Sequence, residues 1–380
     1  MTAPLHGLVV ADFSRVLAGP LAGVTLADLG ATVIKVERPG VGDDTRHWGP
    51  PWTDNSSSYF ECANRSKQSV ELDLGDETDR ALAIELARRA DVVLENYRDG
   101  ALARRGLSYE QVSASNPGVV YASITGFGSH RGRDLAGYDF LVQAVGGLMS
   151  ITGEPGQPTK VGVALVDILT AKDAVVGILA ALRTRESTGR GQRVEVNLLS
   201  SLLGSLANQA SAYLATGESP IQMGNRHPSI APYETLTAAD GSLAVSCGND
   251  GQFRKLAEVL GVPEAADDAL FATNAARVQN RLELAALLES RLATGPVTDW
   301  VDRLTAVGVP AGAIGSISDA FALAERLGLK PTVDVGPGAP PQVRNPITFS
   351  ATPITQYSAP PRLGEHTHDI RQWLTKENPS

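Results

Sequence analysis

The first two hundred residues alternate short β-branched runs with segments of helical period, a grammar that few folds satisfy. "GLVVADF" (7–13) reads as a strand, "LAGVTLADLGA" (21–31) carries apolar residues at helical spacing and closes on Gly30, and "TVIKVER" (32–38) reads as a second strand. The alternation continues with a helix over 79–90, "DVVLENY" (91–97) as a strand, helical turns over 100–115 and "GVVYASITGFG" (118–128) as a strand. A helix around 172–186, the strand "RVEVNLL" (193–199) and a helix running to about Thr216 complete it. Units of this kind build a parallel, doubly wound, Rossmann-like sheet, so the fold class expected is α/β.

The texture changes at Gly217. Residues 217–225 read as a linker, and "YETLTAADGSLAVSCG" (233–248) reads as a β-hairpin turning at Asp240-Gly241. Helices are expected over 251–260, 274–293 and 297–307, with "VPAGAIGS" as a short strand, giving a smaller α+β domain over 226–325. The tail, 326–380, is rich in Pro and Gly before a last helix, and reads as a strap returning to complete the large domain of residues 1–216.

A chain of 380 residues with 43% hydrophobic content supports two such domains. Its net charge of −9 disfavours nucleic acid, whose binding needs clustered Lys and Arg. Cys62 and Cys247 form neither a disulfide framework nor a set of metal ligands, which fits a reducing cytoplasm and a site without metal. The longest apolar runs, such as Ala174 to Leu182, are about half a membrane span, so no membrane association is expected.

Several candidate chemistries fail on spacing. Glu37 stands where a dinucleotide-binding fold places its ribose acid, but the first turn reads "FSRVLAGP" in place of G-x-G-x-x-G. No G-x-S-x-G elbow occurs, and "GEHTHDI" (364–370) reads as a helix start more readily than as a metal site. Arg38, Arg46, Arg98, Arg104 and Arg105 follow strand ends, where anions collect in α/β sheets, although surface ion pairs explain the first two and a solvated helix face the other three. Asp167 lies in "GVALVDILTAKDAVVGILAAL" (162–182), between a β-branched run and a long apolar helix. It can serve as the helix N-cap or as a desolvated nucleophile at a strand end.

Taken together, "DFSRVLAGP" (12–20), "ADLGATVIKVERPGVGD" (27–43), "NRSKQSVELDL" (64–74), "ADVVLENYRDG" (90–100), "NPGVVYASITGFG" (116–128), "GYD" (137–139), "TGRGQRVEV" (188–196) and "GVPAGAI" (308–314) resemble the family III CoA-transferases. That group includes formyl-CoA and carnitine CoA-transferases and is related to α-methylacyl-CoA racemase. The resemblance implies transfer of CoA from an acyl-CoA to a small carboxylic acid, with Asp167 as nucleophile and with aspartyl anhydride and aspartyl-CoA thioester intermediates. It implies an interlocked homodimer. Contacts to coenzyme A carry over to Val16, Leu17, Arg38, Leu72, Asp73, Asn96, Tyr97, Arg98, Arg104, Gly137, Tyr138 and Asp139, and a mobile loop to Gly248, Asn249 and Asp250.

The chain departs from its relatives at informative places. The racemase branch has a histidine in the G-H-D motif where this chain has Tyr138, whose ordinary pKa near 10 suits proton shuttling poorly. Leu17 replaces the glutamine of formyl-CoA transferase, which disfavours oxalate and formate as substrates. Asp99, Gly75 and Ala171 replace a usual proline, lysine and glycine. The alternatives to a transferase are a racemase-like enzyme and a non-catalytic CoA-binding protein.

Overall fold

The computed structural model describes residues 2–376. Six parallel strands, β1 (Val9–Asp12), β2 (Thr32–Glu37), β3 (Gln68–Glu71), β4 (Val92–Glu95), β5 (Val120–Thr125) and β6 (Arg193–Asn197), form one sheet in the order β3-β2-β1-β4-β5-β6. Successive residues face opposite sides, as the strand period requires. Val10, Val33, Leu94 and Ala122 pack with the helices Ala18–Asp28, Leu165–Thr188 and Leu198–Ser205. Ala11, Ile34, Val93 and Tyr121 pack with Glu77–Arg89, Tyr109–Ser115 and Thr367–Thr375 on the other face. With both faces covered, the strands read as continuous apolar runs, and the α/β expectation holds at this level.

Three local readings need correction. The sequence reading passed over β3, because "QSVE" is a short outermost strand with three polar residues. The long helix starts at Leu165 instead of near 172, and no strand precedes it. Its first turn escaped recognition because the N-cap is Ala164, which has no side-chain acceptor.

The chain divides into two compact units, one containing the residues to Leu148, Val161–Glu218 and the residues from Lys330 onward, the other Met149–Lys160 and Ser219–Leu329. Within the second, β7 (Tyr233–Thr237) and β8 (Ser242–Ser246) form the hairpin read from the sequence, and β9 (Ala311–Ala313) pairs antiparallel with β8. The single helix expected over 274–293 is two, Asn274–Gln279 and Arg281–Leu292. They part at Asn280, whose side-chain amide donates to the carbonyls of Ala276 and Leu270 and so competes with the helix backbone. No helix of the described residues is long and apolar enough to cross a membrane.

Candidate active site

All six strands end on one edge of the sheet, and the strand order reverses between β1 and β4. Ligands of open α/β sheets bind at such a reversal. Here Asn96, just after β4, bridges it: its side chain accepts from the Arg15 N–H at 2.8 Å and donates to the Arg15 carbonyl at 2.7 Å. Two clefts open along this edge and share Arg15 and Tyr97, with the Arg15 guanidinium 5.2 Å from the Tyr97 ring centre.

The first cleft lies over the ends of β2 and β3 and is lined by Arg38, Leu72, Asp73, Gly75 and Arg105 among others. The second, a cavity of about 250 Å3 over β1, β4 and β5, is lined by Val16, Leu17, Asn96, Tyr97, Arg98, Gly137, Tyr138 and Asp167. Most of the residues that the family resemblance nominated thus gather along one edge. Arg104 is exposed and lines neither cleft, whereas its neighbour Arg105 lines the first. Gly248, Asn249 and Asp250 belong to the second compact unit. There Asn249 caps the helix Asp250–Val259, and Asp250 pairs at 2.7 Å with the fully buried Arg277.

Asp167 is the third residue of the Leu165–Thr188 helix, neither its N-cap nor a strand end. The cap comes from another element. Asp139, opening the helix Asp139–Val145, accepts from the Val166 N–H at 2.7 Å and the Asp167 N–H at 3.3 Å through one oxygen. Its other oxygen accepts from the buried Gln143 amide at 2.6 Å. Asp139 is therefore a brace under Asp167, and it does not itself line the cleft. The chain reaches this position because Gly126 and Gly137 pass close together: a Cβ on either would lie 2.4 Å from the other's Cα.

Burial, together with the nearby Asp139 carboxylate, pushes the Asp167 carboxyl up from 3.8 to about 7. The helix N-terminus under it works the other way, favouring the anion. A carboxylate so placed is weakly solvated. Tyr59, missed in the sequence reading, feels the same site: burial first, then Asp167, Cys62 and Asp139 push its phenol up to about 12. Its ring meets Trp48 edge-on at 5.2 Å. Arg133 and Leu135 also line the Asp167 cleft and lie in a loop without periodicity, where sequence offers no signal.

Beneath the edge lies a buried charge network. Lys67 pairs with Asp12 at 2.9 Å and Lys35 with Asp43 at 2.8 Å, all four side chains being 0% exposed. Burial pulls the Lys67 ammonium down to about 8 despite Asp12. Burial alone would raise Asp43, but Lys35 and the hydrogen bonds from Lys35 and Thr45 outweigh it and hold the carboxyl at about 2. Glu37 forks onto the Arg46 guanidinium at 2.7 and 2.8 Å, and both side chains are buried in the frame.

Comparison with known proteins identifies the family. The model of CoA-transferase family III matches residues 5–367. A succinate–glutarate CoA-transferase of Agrobacterium fabrum is 45% identical over 97% of this chain and 94% of its own. A mouse succinyl-CoA:glutarate CoA-transferase is 41% identical over 97% and 85%. The crystal structure of a CAIB/BAIF family protein from Brucella suis, 47% identical, superposes with a TM-score of 0.89 over 98% of this chain and 100% of that one. The chain belongs to CoA-transferase family III and is an enzyme of that class.

Proposed function

We propose that the protein transfers CoA from an acyl-CoA to a dicarboxylic acid through covalent intermediates on Asp167. One observation carries this reading: a weakly solvated carboxylate, pushed up to about 7, lines a cleft at the strand-order reversal of the sheet. Desolvation makes such a group a better nucleophile than it is in water. The Asp167 oxygen attacks the thioester carbonyl carbon and expels CoA thiolate, leaving a mixed anhydride. The thiolate then attacks the aspartyl carbonyl, releasing the donor acid and forming an aspartyl-CoA thioester. The acceptor carboxylate attacks that thioester, and the thiolate returns to the acceptor's acyl carbon, freeing Asp167.

Arg38, Leu72 and Asp73 line the cleft over β2 and β3, which suits the nucleotide of CoA. Arg98 and Arg133 line the Asp167 cleft and offer cations to a second carboxylate, as the named substrates of the relatives would require. Glutarate incubated with succinyl-CoA should yield glutaryl-CoA by mass spectrometry. Arg133→Met should lower that transfer roughly 10- to 100-fold, the size of one lost charged hydrogen bond, and should spare an acid with one carboxylate. Equal losses for glutarate and butyrate would refute the role of Arg133.

The raised Asp167 carboxyl also sets a pH profile. Below about 7 the proton stays on and the nucleophile is lost, so kcat/KM should fall as pH falls through that value and level off above it. Asp139→Asn keeps an acceptor for the Val166 N–H but removes the like charge, so the midpoint should move to lower pH. An unmoved midpoint would show that Asp139 has no electrostatic part.

A homodimer belongs to the same proposal. The helix Ile317–Arg326 has no buried residue and exposes Ile317 at 79% and Leu323 at 47%, apolar surface that a second copy would cover. Sedimentation equilibrium distinguishes a dimer from a monomer.

A further inference from the structure

We propose that the buried Lys35–Asp43 pair is a positioning device for transfer, holding the turn Ser14–Leu17 in the shape that walls the Asp167 cleft. The proposal rests on the transferase reading. Val16 has φ 69, a left-handed conformation that is strained for a β-branched residue. Such strain persists only where the surroundings over-determine it, and here they do. The Val16 N–H is shared by both Asp43 oxygens at 3.3 Å each, and the Ser14 carbonyl accepts from Lys35 Nζ at 2.9 Å. Ser14 donates through N and Oγ to Asp12 at 3.0 and 2.5 Å, and Asn96 takes both peptide groups of Arg15.

Four fully buried charges are an expensive way to hold one turn, since apolar residues of similar volume are often at least as stabilising as a buried ion pair. What they supply is geometry. The turn carries Val16 and Leu17 in the wall of the cleft that Asp167 also lines, and Arg15 in the walls of both clefts. Lys35 and Asp43 stand in the wall of the first cleft, but their side chains have no exposed surface, so the hydrogen-bonded turn is the route by which they shape the Asp167 cleft.

The test is a cycle of Asp43→Asn and Val16→Gly. Glycine adopts φ 69 without strain, so it should no longer need the clamp. In the native background Asp43→Asn should lower kcat roughly 10- to 100-fold with little change in the KM for acyl-CoA. In the Val16→Gly background the same substitution should cost no more than about 3-fold, because the strain it releases is already gone. Equal costs in the two backgrounds would overturn the proposal.

Because Asp43→Asn leaves Lys35 short of an anion, Lys35→Met/Asp43→Asn is the companion variant. It should stay folded and show the same loss of kcat; full activity in a folded double variant would overturn the clamp. Amide hydrogen exchange of the peptide 13–19 reads the clamp without turnover. Faster exchange confined to that peptide in Asp43→Asn supports it, and unchanged exchange overturns it. A native protein that transfers from no acyl-CoA would sink the transferase reading, and the exchange result would still decide on the clamp.

Discussion

Asp167→Asn should lower transfer by at least about 1,000-fold, because an amide of the same shape cannot form the anhydride. The substitution should at the same time stabilise the protein. The Asp167 carboxyl is raised in the folded state from 3.8 to about 7, so the folded chain holds the proton more tightly than the unfolded one. Stability from this group is fully present below 3.8 and is lost as pH rises through about 7. Above that value the native protein bears the cost of a partly desolvated anion beside Asp139, at most about 4 kcal/mol, and Asp167→Asn removes it. Thermal unfolding at pH 8 and pH 4 should therefore show a higher Tm for the variant at pH 8 and a smaller difference at pH 4. A variant that is inactive and also less stable at pH 8 would mean that the residue serves the fold.

The second large effect concerns Glu37. Its carboxylate takes the Arg46 fork, the Ser69 hydroxyl at 2.7 Å and the Asp43 N–H at 2.9 Å. Arg46 is itself stacked 3.7 Å above the Phe60 ring and donates to the Pro361 carbonyl of the returning strap. Glu37→Ala leaves this guanidinium buried without its anion, a change that costs roughly 3–5 kcal/mol. The Tm should fall by roughly 5–10 °C. Glu37→Leu/Arg46→Met, which removes both charges, should recover most of the loss. A fall in Tm of less than about 2 °C for Glu37→Ala would contradict the buried frame described here.

These two residues show what sequence does and does not reveal. β1 and β2 were legible because burial on both faces writes them as apolar runs, yet the same runs hid their charges. Nothing in "TVIKVE" marks Lys35 as one of a buried pair, and only the fold brings Asp43 and Asp12 to it. Asp167 stood out as an acid in an apolar stretch, but its neighbour in space, Asp139, is 28 residues away, so the borrowed helix cap and the like-charge contact were invisible. The strained Val16 is similar: nothing in "FSRVLAGP" signals a left-handed valine, because the turn is held by hydrogen bonds from the Val16 N–H to Asp43, 27 positions away, and from the Arg15 N–H to Asn96, 81 positions away. Long-range partners set the chemistry of this site, and local pattern carries the scaffold.

The most direct measurement traps the covalent intermediate. Native protein mixed with succinyl-CoA, quenched with hydroxylamine and digested, should yield the Asp167 peptide as its hydroxamate, while Asp167→Ala treated alike should yield none. An unmodified Asp167 in a sample that is transferring CoA to glutarate would contradict the account.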